Sequence, residues 1–186
     1  VIVTIDSDAL LSCSHIFLPG DGAFNYAMKK IEDQNLEKVI EKCVLNGNYL
    51  IGICLGMQIL FEKSFEIFET SGLSLLKGCV EKIPSKLENG IDIKVPHIGW
   101  NKIKFNEDKE LFFNNEALKK NSPYVYFIHS YYCNLSNDKQ CIAHADYNGF
   151  KIPSIVSHNN IYGCQFHPEK SGKYGLDILN SILNLN

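Results

Sequence analysis

Cys54 lies in a sequence context that is typical of a nucleophile. It is the central residue of Gly52-Ile53-Cys54-Leu55-Gly56, which follows the apolar segment 49–53 and precedes the segment 55–61, whose residues suit a helix. A Gly-x-nucleophile-x-Gly elbow needs this change from strand to helix, because its glycines permit the sharp turn that projects the nucleophile from the sheet. At a helix N-terminus, the helix dipole and free backbone amides favour the thiolate. A buried structural cysteine between two chance glycines is the alternative.

A base and an orienting carboxylate stand together later in the sequence, in the segment Gln165-Phe166-His167-Pro168-Glu169. Residues two apart in an extended segment point to the same side, so His167 and Glu169 can face each other across Pro168. One ring nitrogen could then accept the thiol proton of Cys54 while the carboxylate holds the other nitrogen. A histidine in a surface turn is the simpler interpretation, and only the pairing with the Cys54 motif makes us prefer a catalytic dyad.

An oxyanion hole is the remaining requirement, and the loop Pro19-Gly20-Asp21-Gly22 is the candidate. This loop follows the apolar segment 15–18, and its glycines allow backbone N–H groups to turn toward a ligand. An ordinary strand-to-helix turn explains the same residues equally well.

The elements that must position these residues follow the order of an α/β protein. Strands are predicted at 1–5, 15–18, 49–53, 124–128, 141–146, 154–157 and 161–166. Helices are predicted through 24–31, 36–44, 55–61 and near 110–113, and a C-terminal amphipathic helix places Leu176, Leu179, Ile182 and Leu183 on one face. The alternation of strand and helix predicts a mostly parallel central sheet flanked by helices, and the short β-like segments of 80–105 predict a small antiparallel β insertion.

The composition limits the functional classes. The 186 residues contain 45% hydrophobic residues and carry a formal net charge of -3, which fits one domain over residues 1–186 and argues against nucleic-acid binding. The longest apolar stretch, 49–61, is too short to span a membrane, and the first residues lack the features of a signal peptide. The seven cysteines have no CxxC pair or metal-ligand spacing, which favours reduced thiols in a cytoplasmic protein.

Taken together, these motifs resemble the class I (triad) glutamine amidotransferases, in which the oxyanion loop, the elbow and His-Pro-Glu occur in this order over nearly the whole chain. Three segments, 95–101 with the sequence Val-Pro-His-Ile-Gly-Trp-Asn, His129-Ser130-Tyr131 and 165–172, further resemble the glutaminase subunits of histidine biosynthesis. The resemblance implies the class I amidotransferase fold, hydrolysis of L-glutamine and no metal or organic cofactor. It also implies a heterodimer with a (β/α)8 cyclase that receives the ammonia for imidazole glycerol phosphate synthesis.

By the same resemblance, Cys54 attacks the glutamine amide, His167 shuttles protons and Glu169 orients His167, with a glutamyl thioester as the intermediate. The oxyanion and substrate contacts are carried over to Gly20, Asp21, Gly22, Gly52, Leu55, Gln58, Ser130 and Tyr131. The residues that face the synthase and gate the activity are carried over to Trp100, Tyr126 and Lys170. A solvent-facing Gln58 and a half-buried packing role for Trp100 are the alternatives.

The sequence departs from the family in two places. Asp21 stands where the family's loop typically has Val, and an ionised carboxylate that points inward would oppose the developing oxyanion. A side chain that faces solvent or the partner would not. Members of the family also have a strand and a helix upstream of the position of Val1, and the sequence does not contain them.

Three other functions are open at this point. A paralogous glutaminase could supply ammonia to an amidino-sugar synthase of surface-polysaccharide assembly, and the catalytic residues do not distinguish this acceptor from the first. A non-catalytic regulatory subunit could keep the fold, although intact Cys54, His167 and Glu169 argue against it. A free hydrolase of another substrate would turn over without a partner.

Overall fold

The computed structural model describes residues 1–106 and 122–184, in which two sheets are flanked by helices. The strands are β1 (His15–Gly20), β2 (Tyr49–Cys54), β3 (Lys63–Ser64), β4 (Thr70–Ser71), β5 (Gly78–Lys82), β6 (His97–Phe105), β7 (Tyr124–His129), β8 (Tyr131–Leu135), β9 (Cys141–Tyr147), β10 (Phe150–His158) and β11 (Ile161–Cys164). The α-helices are α1 (Ser7–Ser12), α2 (Phe24–Asp33), α3 (Leu36–Leu45), α4 (Leu55–Gln58) and α5 (Gly172–Leu183). Single 3-10 turns cover Asp138–Gln140 and Pro168–Lys170. The helix predicted near 110–113 lies outside the described residues.

The main sheet has the order β1-β2-β11-β10-β9-β6-β7 and is mixed rather than mostly parallel. Only the β1–β2 and β2–β11 pairs are parallel, whereas the four pairs from β11 through β10, β9 and β6 to β7 are antiparallel. The α/β class is confirmed, but the expected predominance of parallel pairs is wrong. Two-residue turns at 148–149 and 159–160 join β9 to β10 and β10 to β11, and connections this short allow only antiparallel neighbours.

The second sheet has the order β4-β3-β5-β8, and of its strands only β5 overlaps the segment 80–105 predicted to form a small antiparallel insertion. Its β3–β5 pair is parallel. Its strand β8 has no counterpart among the predicted strands, and β6 belongs to the main sheet instead of the insertion. The sequence pattern of 80–105 could not show this, because pairing partners are set by tertiary structure and not by the strand's own residues.

The predicted strand at residues 1–5 is wrong. These residues have no regular secondary structure, and Val1, Ile2, Val3 and Ile5 are exposed. A β-branched run forms a strand only when a neighbour satisfies its backbone N–H and C=O groups, and none of the described strands pairs with it. The helix α1 follows instead, where the Asp6 carboxylate accepts the Ala9 N–H at 2.8 Å as an N-cap.

Each face of the main sheet carries its own core, as the alternation along β2 shows. Leu50 packs with the cluster that includes α2 and α3, and Ile51 and Ile53 pack with the cluster that includes α5. In α5 the buried residues are Gly175, Ile178 and Ile182, rather than the predicted face with Leu176 and Leu183. Gly175 fixes this orientation, since a Cβ there would lie 2.2 Å from the Pro168 carbonyl oxygen. Among the described helices, none is long and apolar enough to cross a membrane.

Candidate active site

The turn from β2 into α4 places Cys54 at the carboxyl end of the parallel part of the sheet. Cys54 has φ 54° and ψ -110°, a conformation that costs a non-glycine residue about 1–3 kcal/mol. Both flanking glycines are required by packing. A Cβ on Gly52 would lie 2.5 Å from the Gly56 oxygen, and one on Gly56 would lie 1.7 Å from the Leu18 oxygen of β1. The motif therefore lets α4 fold back onto β1 and β2.

A cavity of about 880 Å³ opens over Cys54 and brings together most of the predicted site residues. Those that line it are Gly20, Asp21, Gly22, Cys54, Leu55, Gln58, Ser130, Tyr131, His167, Glu169 and Lys170. Gly52 does not line the cavity but is buried beneath α4, so its contribution is to packing. Trp100 and Tyr126 also lie outside it, on β6 and β7.

His167 and Glu169 form the predicted pair. His167 Nδ1 and Glu169 Oε1 are 2.8 Å apart. Because a carboxylate only accepts, Nδ1 carries the hydrogen and Nε2 is the nitrogen left to take a proton. Ser171 fixes the segment, since its buried hydroxyl donates to the His167 carbonyl at 2.6 Å. The His167 N–H in turn donates to the Tyr126 carbonyl at 3.0 Å, which ties the imidazole to β7.

Burial, together with the smaller effect of the negative charges of Glu169 and Asp21, raises the pKa of the Cys54 thiol to about 11. The Leu55 N–H and the Gln165 side chain act in the opposite direction, because each donates toward the sulfur. The Leu55 N–H at the start of α4 therefore favours the thiolate, as expected, but its effect on the pKa is smaller than that of burial. The helix α4 has only four residues, and Cys54 is 8% exposed. Burial therefore raises the pKa of the thiol by more than the amides of this short helix lower it.

Gln58 is buried, so the solvent-facing alternative is wrong. Its Nε2 donates to the Tyr131 carbonyl at 3.0 Å and to Gln165 Oε1 at 3.1 Å. Both amide hydrogens are used in this way, which leaves Oε1 as the atom through which Gln58 could contact a ligand.

Sequence reasoning missed two side chains at this site, Gln165 and Glu66. Gln165 Nε2 lies 3.8 Å from Cys54 Sγ, and Glu66 lines the cavity. Glu66 Oε2 accepts the Phe24 N–H at 2.6 Å at the start of α2, and the Glu66 carbonyl accepts the Tyr131 hydroxyl at 3.0 Å. No local motif marks Glu66, whereas Gln165 stands within the His-Pro-Glu segment and could have been singled out by its spacing from His167.

An apolar face, defined by Ile98, Trp100, Tyr124, Tyr126 and Ile128, covers one side of the β6–β7 pair. Cross-strand pairing aligns these residues, with Ile98 opposite Ile128 and Trp100 opposite Tyr126. The rings of Trp100 and Tyr126 meet edge to face at 6.1 Å between centroids, and Trp100 is 55% exposed. A packing role for Trp100 therefore explains only half of its surface. Within the described residues, no group of three or more His, Cys, Asp or Glu side chains could hold a metal ion.

Comparisons with solved structures agree with the fold. A chain titled "Crystal structure of glutamine amidotransferase" superposes with a TM-score of 0.68 at 18% identity, covering 96% of this chain and 84% of that one. The structure of PurLQS from Thermotoga maritima gives a TM-score of 0.64 at 21% identity, covering 92% and 79%. At this level of identity, both comparisons show the fold alone.

Sequence relatives are closer. The imidazole glycerol phosphate synthase subunit HisH of Methanocaldococcus jannaschii is 43% identical over 186 residues, covering 100% of this chain and 87% of that protein. HisH of Bacillus subtilis is 39% identical over 178 residues, covering 96% and 81%. The family described as "Glutamine amidotransferase class-I" matches residues 3–183. The chain therefore belongs to the class I glutamine amidotransferase family.

Proposed function

We propose that this chain is the glutaminase subunit of an imidazole glycerol phosphate synthase, which hydrolyses L-glutamine to glutamate and ammonia. The observation that carries the proposal is the location of Cys54 and the 2.8 Å His167–Glu169 pair in one cavity. A thiol, an imidazole with a free Nε2 and a carboxylate on Nδ1 are the groups that acyl transfer through a thioester requires.

Cys54 acts as the nucleophile in this proposal. His167 Nε2 takes the thiol proton as Sγ attacks the side-chain amide of glutamine, and Glu169 stabilises the imidazolium through Nδ1. The tetrahedral oxyanion is stabilised by backbone N–H groups of the Gly20–Gly22 loop and of Leu55. His167 then returns its proton to the amide nitrogen, which leaves as ammonia. Water, deprotonated by His167, attacks the glutamyl thioester, and glutamate departs as Cys54 regains its proton.

The polar groups around the cavity fit an amino-acid substrate. The backbone of Ser130 and Tyr131 and the free oxygen of Gln58 supply neutral hydrogen-bonding groups, and Glu66 supplies a negative charge for the α-ammonium group. Oxygen Oε2 of Glu66 already accepts the Phe24 N–H, so the substrate would be held by the other oxygen. Because Glu66→Gln removes the charge that would bind the α-ammonium group, this variant is expected to raise KM for glutamine more than it lowers kcat.

We assign the apolar face and Lys170 to the interface with a (β/α)8 cyclase, which receives the ammonia in a heterodimer. A contiguous exposed face with two aromatic rings is typical of protein interfaces. The face lies close to the chemistry, because the Tyr126 carbonyl accepts the His167 N–H at 3.0 Å. A partner that displaces Tyr126 would thus move the base, which supports a gating role for this residue and for Trp100.

The acceptor of the ammonia is the finer part of the proposal. The HisH relatives, at about 40% identity, favour imidazole glycerol phosphate synthesis over an amidino-sugar synthase. The seven free cysteines favour the reducing cytoplasm as the compartment. Rescue of a histidine-requiring strain that lacks its own glutaminase subunit tests the acceptor directly. Growth requires delivery of ammonia to the histidine-pathway cyclase, and failure to grow alongside an active glutaminase would favour the paralogue.

The mechanism is tested by glutamine hydrolysis with and without the cognate cyclase and its nucleotide ligand. Strong stimulation by the complex is expected, together with its loss in Cys54→Ser. Cys79→Ser is the matched control, because Cys79 lies in β5 outside the cavity and the variant should retain the stimulated rate. An unchanged rate in Cys54→Ser would refute the nucleophile, and strong turnover without any partner would favour a free hydrolase.

A further inference from the structure

A continuous series of hydrogen bonds between buried and half-buried polar groups runs from strand β6 to the nucleophile. Asn101 Nδ2 faces His97 Nε2 at 3.4 Å, and His97 Nδ1 faces His129 Nε2 at 3.0 Å. His129 Nδ1 faces the Tyr131 carbonyl at 2.8 Å, which also accepts from Gln58. From Gln58 the series continues to Gln165 and from there to Cys54 Sγ. We call these contacts the polar chain.

The Tyr131 carbonyl fixes the direction of every donor on the histidine side. It can only accept, so His129 carries its hydrogen on Nδ1 and, as a neutral ring, accepts at Nε2. His97 must then donate from Nδ1, which leaves its Nε2 to accept from Asn101. Burial lowers the pKa of His97 to about 4 and that of His129 to about 3, in agreement with neutral rings near pH 7.

The same carbonyl fixes the two glutamine amides. Gln58 must present its NH₂ to the Tyr131 carbonyl, because its own oxygen would be repelled there. That NH₂ also faces Gln165, so Gln165 must present Oε1 to Gln58 and its NH₂ to Cys54 Sγ. A flipped Gln165 would bring two donors together at 3.1 Å and turn its oxygen toward the sulfur.

Packing holds the origin of the polar chain in place. The His97 ring lies between Phe127 and Tyr147, with ring centroids 4.6 and 4.0 Å away and near-parallel planes. His97 begins β6 opposite His129 at the end of β7, so the two strands that carry the apolar face also carry the histidine pair. The mechanism described above uses neither histidine.

We propose that the polar chain is a positioning device, in which the His97–His129 pair holds the Tyr131 carbonyl in place. This carbonyl sets the orientation of Gln58 and Gln165, so that the Gln165 N–H donates to the Cys54 thiolate. Gln165 is then a positioning residue for the nucleophile, and its N–H partly offsets the Glu169 and Asp21 carboxylates, whose charges oppose the thiolate. The proposal rests on Cys54 being the nucleophile of the proposed function.

Gln165→Leu tests the donor, and the readout is alkylation of Cys54 by iodoacetamide as a function of pH, followed by mass spectrometry of the Cys54 peptide. We expect the rate at pH 8 to fall about fivefold and the profile to move to higher pH, because one hydrogen bond to the thiolate is lost. Gln140→Leu is the matched control, since Gln140 is also buried and its Oε1 has no partner in the described part of the chain. Gln165→Glu, which keeps the size and replaces the donor, is expected to slow alkylation as well.

His129 separates positioning from general stability. His129→Asn can keep a donor to the Tyr131 carbonyl, whereas His129→Leu cannot. We expect the Asn variant to alkylate at nearly the wild-type rate and the Leu variant to approach Gln165→Leu. An unchanged profile in both Gln165 variants, a matching change in Gln140→Leu, or equal rates in the two His129 variants would overturn the proposal. Alkylation needs neither glutamine nor a partner, so a failed glutaminase assay would refute the proposed function without affecting this result.

Discussion

Replacing Glu169 with Gln is expected to move two measurable quantities in opposite directions. The carboxylate accepts the His167 Nδ1–H at 2.8 Å, and in the proposed mechanism it stabilises the imidazolium that forms during attack. The same charge raises the pKa of the Cys54 thiol, which opposes the thiolate. Glutamine has the same shape and keeps an acceptor oxygen, but it removes the charge from both effects.

The magnitudes follow from exposure and distance. A charge-assisted hydrogen bond is roughly twice as strong as a neutral one, but the Glu169 side chain is 56% exposed, so solvent screens it. A loss of about 1–2 kcal/mol corresponds to a fall in kcat of about five- to thirtyfold. The repulsion of the thiolate acts over a longer distance and is screened further, so alkylation of Cys54 at pH 8 is expected to become about two- to threefold faster.

The assay compares kcat for glutamine in the cyclase complex with the rate of Cys54 alkylation in the isolated chain at low salt. Glu69→Gln is the control, because Glu69 is an exposed carboxylate that pairs with Lys63 at 3.0 Å on the surface. It should change neither quantity. If kcat and the alkylation rate both fall, or both rise, in Glu169→Gln, then Glu169 is not the residue that orients His167 and stabilises its protonated form.

Three further predictions concern the loop, the elbow and the thiols. Asp21→Asn is expected to speed Cys54 alkylation about two- to threefold at low salt and less at high salt, since it removes an exposed negative charge. A ratio of variant to wild-type rate that does not depend on salt would contradict this. Gly56→Ala is expected to lower the free energy of unfolding, measured in urea, by about 3 kcal/mol or more, because its Cβ would lie 1.7 Å from the Leu18 oxygen. A loss below about 1 kcal/mol would contradict this and show that α4 can move away from β1. Burial raises the pKa of the thiols of Cys54 and Cys164 to about 11 and 12, so the unfolded chain loses these protons first. The free energy of unfolding should therefore be highest below pH 9 and fall between pH 9 and 11, by about 1.4 kcal/mol per pH unit for each such thiol. Comparison of urea unfolding midpoints at pH 8 and pH 10 measures this fall.

The parts of the site that could be predicted from sequence are those coded by neighbouring residues. The elbow at Cys54 and the His167–Glu169 pair each depend on a few consecutive positions, whose types fix the local backbone. The structure brings them into one cavity as expected. In contrast, Glu66 and the His97–His129 contact join segments far apart in the chain, and no spacing along the sequence reveals them.

The fold shows the same division. The helices α2 and α3 could be predicted because their buried residues recur at helical spacing. Pairing could not, and residues 1–5 illustrate why, since a strand-like pattern without a neighbouring strand leaves no regular structure. The state of Cys54 was missed for an energetic reason. The sequence motif indicates the backbone amides at the elbow, which lower the pKa of the thiol, but not how deeply the sulfur is buried. Burial has the larger effect on this pKa.

The apolar face is exposed to water in the isolated chain, beside the edge of the main sheet. Strand β7 pairs with β6 alone among the described strands, and the middle of its other edge is covered because Tyr126 bonds to His167 and Ser171. The exposed side chains of the apolar face, including Tyr124 and Ile128, are therefore the site to which another copy can bind. Purification of the isolated chain is therefore expected to be limited by self-association at high concentration. Coexpression with the proposed cyclase partner, which would cover this face, is expected to reduce the self-association.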